Sequence, residues 1–246
     1  MITPQEASQL NGTQRQAYVN DLFNRIATPY DRLNRWMSLG QDQAWRREAI
    51  RLGDVSPGDT VVDLGTGTGD LYFLLRETVG PDGRVIGLDL SEKMLEVARH
   101  KAEVLYPDSP AELELAGAGE THLENEIADV VTMGWVLRNV GDRPAAYREI
   151  LRILKPGGRF VCVEMSQPDQ SVFKFGSQLY LRVMMPLLIR MHGADSQAYR
   201  YLAESTARFP SKKELAQEWK EHGFAEVQVK SLMLGQIAIH VGQRTA

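Results

Sequence analysis

The stretch Thr60-Val61-Val62-Asp63-Leu64-Gly65-Thr66-Gly67-Thr68-Gly69-Asp70 decides the fold. Its first half is a short apolar run, as expected of a strand buried on both faces. Its second half sets three glycines at alternate positions, and Leu71–Val79 then takes up helical spacing. A strand passing through a glycine turn into a helix opens many ligand-binding α/β sheets. The rhythm repeats downstream. Arg84–Leu88 reads as a second strand, and Ser91 caps a helix running to about Val104. Further strands are expected at Glu112–Ala116, Asp129–Met133 and Arg159–Glu164. A helix over Arg143–Leu154 and a turn at Lys155-Pro156-Gly157-Gly158 separate the last two. Ser211 starts a helix to about Glu221, and Phe224–Met233 with Gln236–Gln243 form a closing hairpin at the sheet edge. Alternation of this kind implies right-handed crossovers and a doubly wound, mainly parallel seven-stranded α/β sheet, Rossmann-like in plan.

Upstream, one helix is expected near Gln14–Ala27, broken by Pro29. A second spans about Asp31–Ile50 with an interruption near Gly40. The organisation expected is an N-terminal helical cap over 1–51 and an α/β domain over 52–246. The latter carries a helical, Met- and Leu-rich insert at 171–208.

Bulk properties set limits. The chain has 246 residues, 43% of them hydrophobic, enough for one core with a pocket. A net charge of −4 argues against a nucleic-acid partner. With a single cysteine, Cys162, no internal disulfide can form, and a reducing, cytoplasmic setting is expected. Met1–Gly12 is polar, so no secretion signal is expected, and no run of 18 uncharged apolar residues suggests a membrane span. The five histidines lack metal-ligand spacing, so no metal is expected.

The glycine turn suggests its ligand. Dinucleotide sites favour G-x-G-x-x-G, with phosphates on the helix N-terminus. Here the spacing is G-x-G-x-G, and the acid Asp63 stands just before it. S-adenosylmethionine has no phosphate but carries an ammonium and a sulfonium, which suits an acidic turn. Asp63, Gly65, Thr66, Gly67 and Gly69 are therefore assigned to this cofactor. Asp89 ends the second strand about 20 residues after the turn, where an acid accepts hydrogen bonds from ribose hydroxyls. Leu90, Met94, Ala118 and Gly119 complete the expected cofactor contacts. Met94 fits core packing equally well.

The pattern resembles class I methyltransferases. More narrowly it is similar to the quinone-biosynthesis C-methyltransferase family, in three blocks. The first is Tyr30-Asp31-Arg32-Leu33-Asn34 with Ser38, Gly40 and Trp45. The second is Leu137-Arg138-Asn139-Val140-Gly141-Asp142, then Arg152-Ile153-Leu154-Lys155-Pro156-Gly157-Gly158 and Glu164-Met165-Ser166. The third is Tyr199-Arg200-Tyr201-Leu202-Ala203-Glu204-Ser205, Phe209-Pro210 and His240-Val241-Gly242. Asp42 departs from the family's usual His, and Leu33 from its Met. Gly117 stands where an acid would meet the adenine amino group, leaving Glu120 or a backbone carbonyl as substitutes.

The resemblance implies transfer of a methyl group to a ring carbon of a reduced prenylated quinol, with S-adenosylhomocysteine as by-product. Demethylmenaquinol is the expected acceptor. The benzoquinol precursor of ubiquinone, another lipid or phenol, and a non-catalytic scaffold role in quinone biosynthesis are the alternatives. The chemistry needs a ring carbon made nucleophilic by loss of a phenolic proton, and positioning supplies much of the rate. The resemblance places Arg138 and Asn139 by the quinol oxygens, after the fourth strand. Arginine stays protonated, so Arg138 orients a water or steadies a phenolate rather than acting as a base. Its alternative is a surface ion pair. Tyr30 and Asp31 are candidates to close over the same pocket, although Asp31 also suits a helix cap. His192 and Tyr199 are candidate substrate contacts. The segment 172–191 reads either as a core helix pair kinked at Pro186 or as a lid for an isoprenoid tail. In the second case Lys174, Arg182 and Arg190 favour peripheral contact with the inner face of an anionic membrane. A homodimer or a quinone-biosynthesis complex is consistent with the same resemblance.

Overall fold

The computed structural model describes residues 12–166 and 196–245. Three helices come first: α1 (Gly12–Ile26), α2 (Tyr30–Met37) and α3 (Asp42–Leu52). The interruption expected near Gly40 divides the stretch Asp31–Ile50 into two helices. Chain reversal at Ser38–Gln41, with Leu39 and Gly40 both at positive φ, separates them. The α/β part follows as β1 (Thr60–Leu64), α4 (Asp70–Val79), β2 (Arg84–Asp89), α5 (Glu92–Leu105), β3 (Glu112–Leu115) and β4 (Ala128–Gly134). It continues with α6 (Arg143–Ile153), β5 (Leu154–Met165), α7 (Ser196–Arg208), α8 (Lys212–Glu221), β6 (Phe224–Leu232) and β7 (Ile237–Arg244).

The seven strands lie in the order β3-β2-β1-β4-β5-β7-β6. Pairing is parallel from β3 to β5 and antiparallel at β7 and β6. The closing hairpin is present, and of its two strands β6 is at the edge while β7 inserts between β5 and β6. Lys155-Pro156-Gly157-Gly158 makes an excursion within β5 rather than a separate turn before it. Leu154 pairs with Ala128 and the ladder resumes at Arg159 with Val130, so five steps on one strand oppose two on the other. Gly157, at φ +79°, takes up the bend.

Alternate side chains of β1 explain the double layer. Val61 packs with α4 and α5 on one face, and Val62 joins the opposite core of Ile86, Met133, Phe160 and Trp219. Trp219 stacks on Phe160 at 4.3 Å between ring centroids. Capping follows the residue chemistry: Ser91 accepts from the Met94 N–H at 3.2 Å, and Ser211 with Glu214 closes a capping box.

Strand order reverses between β1 and β4, so their carboxyl ends leave a crevice for ligands. Helices α1 and α2 stand over it. Leu22, Ile26 and Ala27 pack on Met94 of α5 and Tyr201 of α7. Helix α3 is built differently, with Ala49 and Ile50 joining the core of the sheet itself. Among the described residues, no helix is long and apolar enough to cross a membrane.

Candidate active site

Two cavities of about 350 and 340 Å³ adjoin at the crevice. Phe23, Tyr30, Arg46, Trp135 and Asn139 line both.

The first cavity is built around the glycine turn. The Gly65 and Thr66 N–H groups donate to the Leu88 carbonyl at 2.7 and 2.9 Å, which folds the loop over β2. Gly65 and Gly67 adopt φ of +72° and +57°, where side chains strain the backbone. Their surroundings differ. A Cβ on Gly65 would lie 2.3 Å from Val136, whereas one on Gly67 would meet nothing within 4 Å. Gly65 serves packing, and Gly67 leaves its backbone open to a ligand.

Asp63 is buried, and its Oδ1 accepts from the Thr132 hydroxyl at 2.7 Å. Its Oδ2 and the buried Thr66 hydroxyl make no hydrogen bond of ordinary geometry, although Thr66 lies near enough to favour the ionised carboxylate. Burial pushes the Asp63 carboxyl from 3.8 to about 6, with the Thr132 hydrogen bond opposing. A buried acid with a vacant oxygen suits an ammonium ligand. Asp89 binds the loop by accepting from the Gly67 N–H and the Ser91 N–H, both at 2.8 Å. Each oxygen keeps a further lone pair, so these bonds are compatible with ribose contact. Leu90, Met94, Ala118 and Gly119 all line this cavity, and Met94 is also core. Glu120 is exposed and outside it. At Gly117 the space an acid would take is approached by α1. The Gln16 amide nitrogen lies 3.2 Å from where a Cβ would stand, and Gln16 lines the cavity.

The second cavity is mainly apolar, walled by residues such as Leu22, Ile26, Met37, Trp45 and Ile237. Three buried polar atoms on its lining residues lack a partner: Arg138 Nε, Asn139 Oδ1 and the Tyr201 hydroxyl. Arg138 is no surface residue. It is buried, its guanidinium pairs with Glu164 at the end of β5, and its backbone N–H donates to the same carboxylate at 3.2 Å. Burial raises the Tyr30 hydroxyl above its usual range, so it stays protonated near neutrality and keeps a proton available for donation.

Asp31 lines neither cavity and caps no helix, since Pro29 takes the cap position of α2. It accepts from Thr68 of the glycine turn and pairs with Lys101 at 2.5 Å. Lys101 also meets Asp70 at 3.1 Å. Asp70 lies 3.7 Å from Arg46, which bonds Asp42 at 2.7 Å. This chain of charges ties α2 and α3 to the cofactor loop. His192 lies outside the described residues, as does the expected insert up to residue 195, and Tyr199 falls in α7 with its side chain undescribed. His240 is buried against the Lys212 carbonyl at 2.9 Å, away from both cavities. No cluster of metal ligands occurs among the described residues.

Besides Gln16 and Phe23, four residues of the site escaped the sequence reading. Arg46 sits with its guanidinium 4.8 Å from the Trp135 ring. Trp135 holds φ +60°, a strained value for a bulky residue, at the junction of the cavities. Glu164 and Tyr201 stood in quoted motifs without a role.

This sheet order, with a G-x-G-x-G cavity after its first strand, defines a class I S-adenosylmethionine-dependent methyltransferase. The sequence model of the ubiE/COQ5 methyltransferase family matches residues 11–244, and the chain belongs to that family. A demethylmenaquinone methyltransferase of Symbiobacterium thermophilum is 39% identical over 236 residues, 94% of each chain. One of Bacillus cereus is 40% identical over 228 residues, 93% of this chain and 96% of its own. Among solved structures, an S-adenosylmethionine-dependent methyltransferase from Aquifex aeolicus shares the fold with a TM-score of 0.57 at 17% identity, over 80% of this chain and 88% of its own. Haemonchus contortus phosphoethanolamine N-methyltransferase 2, in complex with S-adenosyl-L-methionine, gives 0.62 at 16%, over 91% and 60%.

The Asp63 geometry carries a pH prediction. An acid titrating near 6 is ionised at pH 7 and mostly protonated at pH 5, and only the ionised form pairs with an ammonium. Cofactor affinity should rise with pH up to about 6.5, by at most about tenfold per unit, then level off. Stability without ligand has the opposite sign. Between 3.8 and about 6 the folded chain holds more protons than the unfolded one, so this group removes stability as pH rises. Calorimetric titration from pH 5 to 7.5 tests the first part, and a profile unchanged in Asp63→Asn would refute it.

Proposed function

We propose that the chain transfers the methyl group of S-adenosylmethionine to a ring carbon of a reduced, prenylated quinol. Demethylmenaquinol is the preferred acceptor, with ubiquinone-precursor benzoquinol as the alternative. The observation that carries this reading is a mainly apolar cavity whose lining residues include three with a buried polar atom that lacks a partner, Arg138 Nε, Asn139 Oδ1 and the Tyr201 hydroxyl. A flat apolar ring bearing oxygen substituents fits such a lining, since unpaired buried polar groups are costly until a ligand meets them. The names of the Symbiobacterium and Bacillus relatives point to the same acceptor.

When bound, the cofactor supplies an electrophilic methyl on a sulfonium. The chain's residues do the rest. Asp63 takes the cofactor ammonium, Asp89 its ribose and the Gln16 amide its adenine edge, in place of the acid missing at 117. Gln16→Ala should weaken cofactor binding by about fivefold, the loss of one neutral hydrogen bond. No change on calorimetry would return the adenine contact to a backbone carbonyl. Arg138 and the Tyr30 hydroxyl donate to the quinol oxygen as its proton passes to a water that Arg138 orients, Asn139 Oδ1 accepts from a quinol hydroxyl, and the ring carbon that gains the methyl gives up its own proton to solvent. The pairing with Glu164 keeps Arg138 from moving with its charge. Phe23 and Trp135, on the shared wall, exclude water where the cavities meet. Turnover of reduced but not oxidised demethylmenaquinone tests the proposal. Equal turnover of both redox forms would contradict it, since an oxidised ring carries no phenolic proton to lose.

The acceptor's tail would keep it in the membrane, so we also place the working enzyme, as a monomer or an oligomer, at the bilayer surface. The insert proposed for that contact lies outside the described residues.

A further inference from the structure

Among the described residues lining the acceptor cavity, only Leu39 and Met233 are exposed, at 80% and 37%, so they mark its mouth. Leu234, beside Met233, is 68% exposed. These large apolar side chains sit on two turns distant in sequence, one joining α2 to α3 and the other joining β6 to β7. All three residues have left-handed backbones, with φ of +52°, +50° and +55°. That conformation costs free energy in any residue other than glycine and favours Asn when glycine is absent. A leucine held there and turned to water gains nothing for folding. Two turns that each carry such residues at the rim of one cavity indicate a ligand-facing surface. On the helix leading into Leu39, Arg32 and Arg35 are also exposed.

We propose that the Leu39 and Met233-Leu234 turns dip into an anionic lipid bilayer and seat the mouth of the acceptor cavity on it, with Arg32 and Arg35 meeting the headgroups. This rests on the quinol reading and adds to it the surface that docks. A bilayer is favoured over a protein partner for two reasons. The rim surrounds the entrance to an apolar cavity, so an acceptor with a long apolar tail passes from lipid to site without crossing water. Two exposed cations precede the apolar Leu39 on the same helix and turn, and cations close in sequence to exposed apolar residues are a feature of interfacial anchors.

The test is co-sedimentation with phosphatidylglycerol–phosphatidylcholine vesicles at low salt, without quinol or cofactor. The wild type should bind, and binding should fall as salt rises. Leu234→Asn should lower partitioning by about tenfold. Arg32→Ser with Arg35→Ser should lower it by about fivefold per arginine. Because Asn suits the left-handed backbone, Leu234→Asn should melt at the same temperature as the wild type or higher, whereas a leucine needed for packing would lower it. Leu234 lines neither cavity, so turnover of a short-tailed, water-soluble quinol should be unchanged in this variant, while turnover of a long-tailed quinol in vesicles falls. Wild-type protein that stays with the supernatant, or Leu234→Asn that binds vesicles as the wild type does, overturns the proposal. A dimer that dissociates on Leu234→Asn, with no vesicle binding in either form, would assign the rim to a second copy instead. Vesicle binding is read without substrate, so failure of all quinol turnover would count against the function reading alone.

Discussion

Arg138→Lys should lower kcat by about two to three orders of magnitude and leave cofactor affinity within about twofold. Lysine keeps the charge and can still approach Glu164. It lacks the planar fork that lets one guanidinium bond the Glu164 carboxylate and keep a second N–H, the unpartnered Nε, for the acceptor. Cofactor affinity should hold because Arg138 lines only the acceptor cavity. If the contact strengthens as the phenolate forms, kcat and kcat/KM fall together, whereas a rise in KM alone would make Arg138 a binding residue only. Arg138→Ala is less informative. It leaves Glu164 buried without its counter-charge and should cost about 3–5 kcal/mol of stability. Combining Arg138→Met with Glu164→Gln removes both charges while keeping apolar volume and a carbonyl acceptor. That pair should regain most of the lost stability and remain inactive, which separates chemistry from folding.

Gly67→Val should abolish measurable cofactor binding while the protein still folds. The Cβ at this position points into open cavity, and a branched side chain there would occupy ligand space. The left-handed backbone adds a strain of about 1–2 kcal/mol. Gly65→Ala provides the contrast. Its Cβ would collide with Val136 at 2.3 Å, so the loss should appear in thermal stability as well as in affinity. Asp63→Ala should weaken binding by roughly 10- to 100-fold through the lost charged contact. Calorimetry on folded variants decides the matter, and wild-type affinity in Gly67→Val would remove the cofactor from this cavity.

The residues that proved legible in the sequence act through their neighbours along the chain. The β-branched run of β1, the alternate glycines and Asp89 at the end of β2 each carry their structural meaning within a few positions. Ser91 and Ser211 announced helix starts in the same way. Arg46 and Trp135 were hidden because their meaning is relational. They meet only when α3 packs against the end of β4, and nothing in a charged helix distinguishes the arginine that turns inward. Trp135 follows an apparent strand end, where a bulky residue suggests burial rather than positive φ. Glu164 was visible inside a motif, but its pairing with Arg138 spans 26 residues and two strands. Asp31 looked like a helix cap because Asp in a first turn usually serves the helix dipole. Here Thr68 and Lys101 claim it. The Lys155–Gly158 excursion was read as a turn because proline and two glycines outweigh any strand signal, yet the ladder resumes beyond it.

The central claim is that the two cavities meet so that a methyl group passes from sulfur to carbon. It is tested most directly with S-adenosylmethionine carrying a trideuterated methyl group and reduced demethylmenaquinol, followed by mass spectrometry and NMR of the extracted quinone. One trideuterated methyl on a ring carbon, formed in equal amount to S-adenosylhomocysteine and absent with Arg138→Lys at matched times, is the predicted result. A trideuterated methoxy group on the ring, or no label in the quinone at all, would contradict it.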